Sequence, residues 1–597
     1  MKQEIADRLT ALRALMAQKG VQATVIPQTD PHQSEYISAH WQVRRHFSGF
    51  TGSAGSLVVT ADKALLWTDS RYFLQAADQL ADTGIVLMKE GLIETPSIED
   101  WLCDNLQKGD TVGIDGMVYS ATATAQLKGA LGKAGVKVTT EFAPSDAWTD
   151  RPALPQGKAF VHDAKYAGRT AADKLRGILD EAAKSQAASV FISALDEIAW
   201  ALNLRSDDVK YNPVLTAFLY VAPQGTTLFV DPAKLTAEVS AYLKEQGVAT
   251  APYSSVKEFI AALPQDAAVL VEPARNAVAL VEALGARAVT GPSAVAIAKS
   301  CKNDTQLAGV RQAMVRDGVA LVRSFMEIER RAMGEGEPLT ELDVCDILRH
   351  YRSQQPLFFD ESFGTIAGYG PHGAIVHYEP TAESNAAIMT GNLLLVDSGA
   401  QYLDGTTDIT RTIAIGPATA EQKRDFTLVM KGHIALGTAI FPEGTTGHQL
   451  DALAREPLWK NGLTYLHGTG HGVGHFLNVH EGPQSVRLNY VPTPLMPGMI
   501  TSNEPGLYRT DVHGIRCENL VLCVPAMETE FGRFLRFETL TLCPFEPALF
   551  ETEIMTDEEL EWLNAYQARV RELLAPELDK STAEWLAEKT RPISRNN

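Results

Sequence analysis

Two stretches of the chain carry one pattern: "RLTALRALMAQKGVQATVIPQTD" from Arg8 and "KLRGILDEAAKSQAASVFISALDEIAW" from Lys174. Each reads as an amphipathic helix, a short polar turn, and a buried β-branched strand that ends near an acidic residue. A helix stripe and a strand face of this kind must bury against one another, so both stretches commit the chain to α/β packing. The spacing marks a module of about 150 residues, an ordinary domain size, that occurs twice.

Between the modules lies "WTDRPALPQGK", whose prolines and glycine in a polar stretch read as a linker. Further on, "KSCKNDTQLAGVRQAMVRDGVALVRSFMEIERR" opens with capping residues and continues as a long amphipathic helix. At 597 residues the chain is too long for one core. The expected division is 1–153, 154–301 and 302–597, the last with a C-terminal extension.

A net charge of -20 argues against a nucleic-acid partner, because such footprints are basic. No apolar run approaches the roughly 20 residues that span a bilayer. The first residues, "MKQEIADRLTALRALMAQKG", mix charge and apolar side chains at helical spacing, with no secretory core or cleavage site. The 6 cysteines are scattered without a CxxC pair, so no disulfide framework is expected and a reducing cytoplasm fits best. No membrane association is expected.

Nearly every residue that looks chemical falls in the third region. In "GNLLLVDSGAQYLDGTTDITRTIAIG" a buried strand, Leu393 to Val396, ends at Asp397, and after a turn at Asp404 and Gly405 a β-branched run contains Asp408. A carboxylate beside a core strand is costly unless it is paired or bound to a cation; a plain turn aspartate is the alternative. In "MITSNEPGLY" Glu504 follows a short apolar strand. In "GIRCENLVLCV" Glu518 reads as lying inside a strand, on one face with Arg516 and Leu520. An ion pair with Arg516 and a metal are the two readings open for it. Together Asp397, Asp408, Glu504 and Glu518 carry the charge to neutralise two divalent cations, and one imidazole would complete the coordination. Two such ions can hold a hydroxide between them and polarise a carbonyl. The oxygen-rich set favours Mn²⁺ or Co²⁺ over structural zinc.

Between these acidic pairs runs "HGTGHGVGHFLNVHEGP", with His467, His471, His475 and His480. A zincin site needs its two histidines on one helical face. Here Gly468, Gly470, Gly472 and Gly474 alternate through the run, and each costs a helix about 1 kcal/mol. The zincin reading fails, and a glycine-rich loop or strand suits close approach of backbone to a ligand.

The stretches "GAIVHYEP", "VDSGAQYLDGTTDITRT", "HGTGHGVG", "LNVHEGP", "NEPGLY" and "GIRCEN" closely resemble, in order and spacing, the pita-bread metallopeptidases. Within them the chain is similar to the three-domain, cytosolic type of Xaa-Pro aminopeptidase. "FSGFTGSAGSLVVTADKALLWTDSRYFLQA" resembles that family's first domain and "ALDEIAWALNLRSDDVKYNPV" its second, so the likeness covers almost the whole chain. It implies an α/β (α+β) fold of two creatinase-like α/β modules followed by a pita-bread catalytic domain.

The resemblance further implies that Asp397, Asp408, His471, Glu504 and Glu518 bind two divalent ions, Mn²⁺ foremost with Co²⁺ or Zn²⁺ possible. Asp408 and Glu518 would bridge them, and a bridging hydroxide would be the nucleophile. Glu504 would also transfer protons. His377, His467 and His480 would position substrate and stabilise the tetrahedral intermediate. Arg516 would brace the site through Glu518 or a neighbouring carboxylate. Taken alone, His377 and His480 read as satisfied structural histidines; the resemblance reverses this. The implied reaction removes the N-terminal residue from peptides with proline second, in a cytoplasmic homodimer. A prolidase-type dipeptidase and a non-catalytic peptide-binding relative are the alternatives; the three-domain length argues against the first and the complete ligand set against the second.

Three positions depart from the family's usual residues. His475 is expected to be a local packing or hydrogen-bonding residue. Asn503 should point away from the site, and Cys517 should be a small buried residue. Asp69 and Arg71 read as an ion pair within the first module. Arg205 and Asp207 are candidates for reaching a neighbouring subunit.

Overall fold

A computed structural model of the chain describes residues 2–595. The chain forms two compact units. One runs up to Ala164 and continues through Arg169–Val295; the other joins Lys165–Gly168 to the chain from Ala296 onward.

The first unit contains two six-stranded sheets of one design. In the first sheet the spatial order is Val86–Lys89, Ala64–Thr68, Ser56–Thr60, Ala23–Pro27, Thr111–Gly113, Lys137–Thr139. The strands from Ala64 to Pro27 in that order pair antiparallel, and the flanking strands join in parallel. In the second sheet the order is Val248–Ala251, Gly225–Phe229, Phe218–Ala222, Ser189–Ile192, Val269–Val271, Ala288–Thr290. Its pattern of parallel and antiparallel pairs is the same. The two similar sequence stretches supply the matching helices, Lys2–Lys19 and Ala171–Lys184, and the strands that follow them.

Period-two alternation explains the layers. Ile26, Leu57, Val59 and Leu66 pack on one face with Ile5, Leu9, Leu12 and Met16 of the first helix. Val25, Val58, Leu65 and Trp67 pack on the other with Leu102, Leu127 and Leu131. The two modules are stitched by backbone: Ala121 N donates to Asn276 O at 3.0 Å and Val278 N to Tyr119 O at 2.8 Å. Buried His32 adds side-chain contacts, 2.8 Å to Ser193 O and 2.9 Å to the Tyr253 hydroxyl. Asp69 and Arg71 form the expected ion pair at 2.7 Å. Arg205 is buried and donates to the carbonyls of Ala199 and Leu204, while Asp207 is exposed.

The second unit begins with the long helix Asp304–Ala332, capped by Asn303, whose side chain accepts from Gln306 N while Gln306 reciprocates in a capping box. Around it and the helices Glu341–Ser353, Ala420–Gly437 and Gly447–Trp459 are wrapped short antiparallel sheets. One orders Ile366–Tyr369, Asn392–Ser398 and Ile409–Ile415. Another orders Ile440–Pro442, Gly532–Thr539, Asn519–Thr529, Ile500–Asn503, Gly470–Gly472 and Glu481–Val486. A hairpin, Gly506–Arg509 with His513–Arg516, falls in sequence between the strands Ile500–Asn503 and Asn519–Thr529 of this second sheet. The helices Asp557–Leu574 and Lys580–Lys589 complete the unit. Mixed α/β architecture is thus the observed class. No helix among the described residues is long and apolar enough to cross a membrane.

Candidate metal centre

Asp397 lies within the strand Asn392–Ser398, which runs past it by one residue, and pairs across to Thr410. Asp408 immediately precedes the strand Ile409–Ile415. This sheet therefore delivers both aspartates at neighbouring strand ends. Glu504 follows the strand Ile500–Asn503 as expected. Glu518 differs from the sequence reading. It sits between His513–Arg516 and Asn519–Thr529, at the point where the chain leaves one sheet for another. Glu518 N donates to Thr410 O at 3.1 Å, and the Thr410 hydroxyl donates to Glu518 Oε2 at 2.8 Å. Thr410 thereby ties the first acidic pair to the second.

His471 stands on the short strand Gly470–Gly472, and its ligand-type ring nitrogen lies within 4.8 Å of carboxylate oxygens of Asp408 and Glu518. Its Nδ1 is 2.9 Å from Gly472 O, which fixes Nδ1 as the donor and leaves the lone pair on Nε2. Nε2 faces Asp408 Oδ2 at 3.5 Å and Glu504 Oε1 at 3.4 Å. Three electron-rich atoms converge there, an arrangement that a cation between them satisfies. Ser502 holds two of these groups in place: its hydroxyl accepts from His471 N at 2.9 Å and donates to Glu504 Oε1 at 3.0 Å.

Electrostatics point the same way. Burial, reinforced by Asp397 and Glu504, holds the Asp408 carboxyl well above the usual range. Burial, reinforced by Asp408, does the same to Glu518. Burial pushes Glu504 up to about 7, with Asp397 adding to it and Arg516 and His480 pulling against it. Asp397 Oδ1 and Glu518 Oε1 are buried without a hydrogen-bond partner among the described residues. Buried oxygens of this kind are expensive unless a cation meets them. The donor set fits two divalent ions.

Arg516 pairs with Asp397, not Glu518. Its Nη2 is 2.7 Å and its Nε 3.2 Å from Asp397 Oδ2, and Nη1 donates to the Tyr508 hydroxyl at 2.8 Å. His467 extends the chain. Its Nδ1 donates to Gly468 O at 2.7 Å, so Nε2 accepts from the Tyr508 hydroxyl at 2.8 Å. The hairpin bearing Tyr508 and Arg516 is pinned to the helix Ala420–Gly437, because Asp425 accepts from Arg509 at 2.6 Å and meets His513 Nε2 at 3.0 Å.

The ring of His480 lies edge-on to that of His471, centroids 4.4 Å apart. The next residue, Glu481, meets the buried ammonium groups of Lys299 at 2.5 Å and Lys302 at 2.6 Å. His377 is half-buried on the loop that follows the turn Gly370–Ala374. His475 is buried. Asn503 points away from the site, donating to His433 O at 2.9 Å. Cys517 is buried, and burial pushes its thiol up to about 12.

Two glycines of the histidine run are required by close packing of the sheet itself. A Cβ on Gly470 would lie 1.9 Å from Ser502 O, and one on Gly472 would lie 2.3 Å from Glu481 O. Both admit neighbouring backbone. Thr410, Ser502 and Tyr508 escaped the sequence reading, although Tyr508 follows Glu504 closely in "NEPGLY" and Thr410 follows Asp408 in "DIT".

Residues 308–525 match metallopeptidase family M24, and 533–593 match the C-terminal region of that peptidase family. Residues 8–151 and 150–306 each match a creatinase/prolidase N-terminal domain. The chain belongs to metallopeptidase family M24: two creatinase-type α/β modules precede a pita-bread catalytic domain. It is 42% identical to "Aminopeptidase P2" of Arabidopsis thaliana over 99% of this chain and 89% of that protein. It is 43% identical to a "Probable Xaa-Pro aminopeptidase P" of Sordaria macrospora, covering 98% of this chain and 99% of the relative. The crystal structure of an X-prolyl aminopeptidase from Caenorhabditis elegans, described as a cytosolic enzyme with a di-nuclear active site, superposes with a TM-score of 0.95. Identity there is 35%, over 99% of this chain and 100% of that one.

Proposed function

We infer that this chain is an aminopeptidase that releases the N-terminal residue from peptides with proline at the second position. The observation that carries the reading is the lone pair of His471 turned toward Asp408 and Glu504, with Glu518 and Asp397 close by, in a chain so similar to Xaa-Pro aminopeptidases along its whole length. Asp397, Asp408, His471, Glu504 and Glu518 would hold two divalent ions. The oxygen-rich set favours Mn²⁺, with Co²⁺ and Zn²⁺ as alternatives. When bound, such ions supply Lewis acidity toward the scissile carbonyl and lower the pKa of water.

The chain's own groups supply the rest. An Xaa-Pro bond is a tertiary amide without an N–H, and the ring restricts the chain around it. Recognition therefore cannot rest on that donor. Glu504 accepts a proton from the attacking water and returns it to the leaving proline nitrogen as the C–N bond breaks. His377 and His480 position the peptide and stabilise the tetrahedral intermediate by donating to its oxyanion. His467 belongs to the same group, and its bond to Tyr508 joins it to Arg516 and so to Asp397. Arg516 holds Asp397 in register.

The same reading carries proline-containing peptides as substrates, a homodimer, a cytoplasmic location, and division at 1–153, 154–301 and 302–597. The twin sheets support the division, and the cytosolic description of the Caenorhabditis elegans relative supports the location. The test is a cleavage profile after chelation and re-addition of Mn²⁺, Co²⁺ or Zn²⁺, comparing Xaa-Pro-Xaa tripeptides, Xaa-Pro dipeptides and Xaa-Ala-Xaa controls. Release of the first residue from the tripeptides, greatest with Mn²⁺, is expected. Cleavage of dipeptides alone would replace the reading with a prolidase.

A further inference from the structure

Glu341 opens the helix Glu341–Ser353 behind the N-cap Thr340, and none of its side-chain surface reaches solvent. Its two carboxylate oxygens are met by four donors, with His372 Nδ1 also 3.1 Å from Oε2. Oε1 accepts from Tyr369 N at 2.8 Å and from His372 Nδ1 at 2.9 Å. Oε2 accepts from the Tyr378 hydroxyl at 2.8 Å and from Ala386 N at 2.9 Å. The helix start is fixed to the same segment by Glu341 N donating to Ala386 O at 3.1 Å and Leu342 N to Asn385 Oδ1 at 3.0 Å.

All four donors belong to one stretch, 369–386, which has little regular structure of its own beyond the turn Gly370–Ala374. His377 lies inside it, one residue from the gripped Tyr378. The opposite side of the turn rests on the hairpin that carries Arg516: a Cβ on Gly514 would lie 1.7 Å from Gly373 O. A loop with few backbone bonds of its own is held to a fixed path only by such anchors. Catalytic side chains tolerate little displacement, since about 1 Å of misplacement reduces rate by about 100-fold.

We propose that Glu341 is a positioning residue: its single buried carboxylate gathers 369–386 and thereby aims His377 at the substrate. The proposal rests on the aminopeptidase reading for the role of His377, but not for the anchoring itself. Glutamine at 341 can accept at only one of its two ends, so it leaves donors facing an amide NH₂. Tyr378→Phe removes a single donor and guards against a fold that does not tolerate the first change.

The experiment combines hydrogen–deuterium exchange with a double-mutant cycle on full-length, metal-reconstituted protein. Glu341→Gln is expected to speed exchange within 369–386 at least about tenfold while the helix Asp304–Ala332 is unaffected, with Tyr378→Phe shifting the same segment less. Cleavage of an Xaa-Pro-Xaa peptide is expected to fall about 10- to 100-fold in kcat with KM within about twofold, and bound metal per chain is expected to be unchanged. In a His377→Ala background the Glu341→Gln change should have no further effect on kcat, because residues acting as a unit are not additive. Unchanged exchange in 369–386, or full additivity with His377→Ala, overturns the proposal. Wild-type protein inactive on Xaa-Pro peptides would instead refute the aminopeptidase reading, and the exchange data would still decide whether Glu341 anchors the loop.

Discussion

Arg516 and Asp397 meet through a forked contact, 2.7 Å and 3.2 Å from two guanidinium nitrogens to one carboxylate oxygen, with both residues buried. The fork uses only Oδ2 and leaves Oδ1 buried without a hydrogen-bond partner among the described residues. Burial opposes the charge on Arg516, but Tyr508, Asp397 and Glu504 outweigh it and hold its pKa well up. Arg516→Lys keeps the charge but cannot reach Asp397 and Tyr508 together. The expected result is a fall of about 100-fold in kcat/KM, with weakened retention of one ion per chain by elemental analysis. Full activity in the lysine variant would remove Arg516 from the site.

His471→Ala and Glu504→Ala should each abolish turnover, because each removes a donor from the convergence at His471 Nε2. Peptide cleavage more than about a thousandfold below wild type is expected, as for loss of a group acting directly in catalysis. Residual activity within about tenfold of wild type would refute the assignment. Metal content measured beside activity separates a lost ion from a lost proton carrier.

Arg411 is fully buried and donates to Thr410 O, Glu518 O, Asn519 Oδ1, Cys543 O, Pro544 O and the Tyr566 hydroxyl, all between 2.6 and 3.1 Å. It therefore joins the backbone of Glu518 to the C-terminal helix Asp557–Leu574. Arg411→Met should cost about 3–5 kcal/mol, since it strands several buried acceptors. Tyr566→Phe should cost about 1–2 kcal/mol. Both are checked by denaturant midpoints, with a parallel loss of metal affinity by titration calorimetry expected for the arginine variant.

His433 is buried among Asn503 O, Cys517 O and the Asn519 amide, and burial, with nearby Arg411, pulls its pKa down from 6.5 to about 3. The folded protein keeps this imidazole neutral, whereas the unfolded chain protonates it below about 6.5. In the window between those values the unfolded state binds the extra proton, so stability is full above 6.5 and falls as pH drops toward 3. The slope from this group is at most about 1.4 kcal/mol per pH unit. His433→Gln should flatten the decline in melting temperature between pH 7 and 5 relative to wild type. Parallel curves would remove His433 as the cause.

Much of this molecule can be read before it is folded. The helix–turn–strand stretches at Arg8 and Lys174 announce the twin modules because strand alternation and helix stripes are local properties. Asp408, His471, Glu504 and Glu518 come together because short motifs carry them on or beside strands. What stays hidden is set by contacts between distant segments. For Arg516 the sequence offered Glu518 or an unspecified neighbouring carboxylate, and the fold chose Asp397, more than a hundred residues away, over Glu518, two residues away. Glu518 looked like a mid-strand residue because "IRCENLVL" alternates without a break, whereas the chain changes sheets at Cys517 and Glu518. Glu341 gave no signal beyond a helix start, since its four donors lie 28 to 45 residues further on.

The close approach at Gly470 also bears on how this protein can vary. Its missing side chain is occupied by the carbonyl of Ser502, whose hydroxyl steadies both His471 and Glu504. Any larger residue at 470 would push the strand Ile500–Asn503 aside and move an acid that lies far along the chain. In a comprehensive substitution library the glycines at 470 and 472 should therefore be as intolerant as His471 itself, although neither carries a functional side chain. A viable replacement at either position would need a compensating change in the facing strand, so the two segments are bound to drift together or not at all.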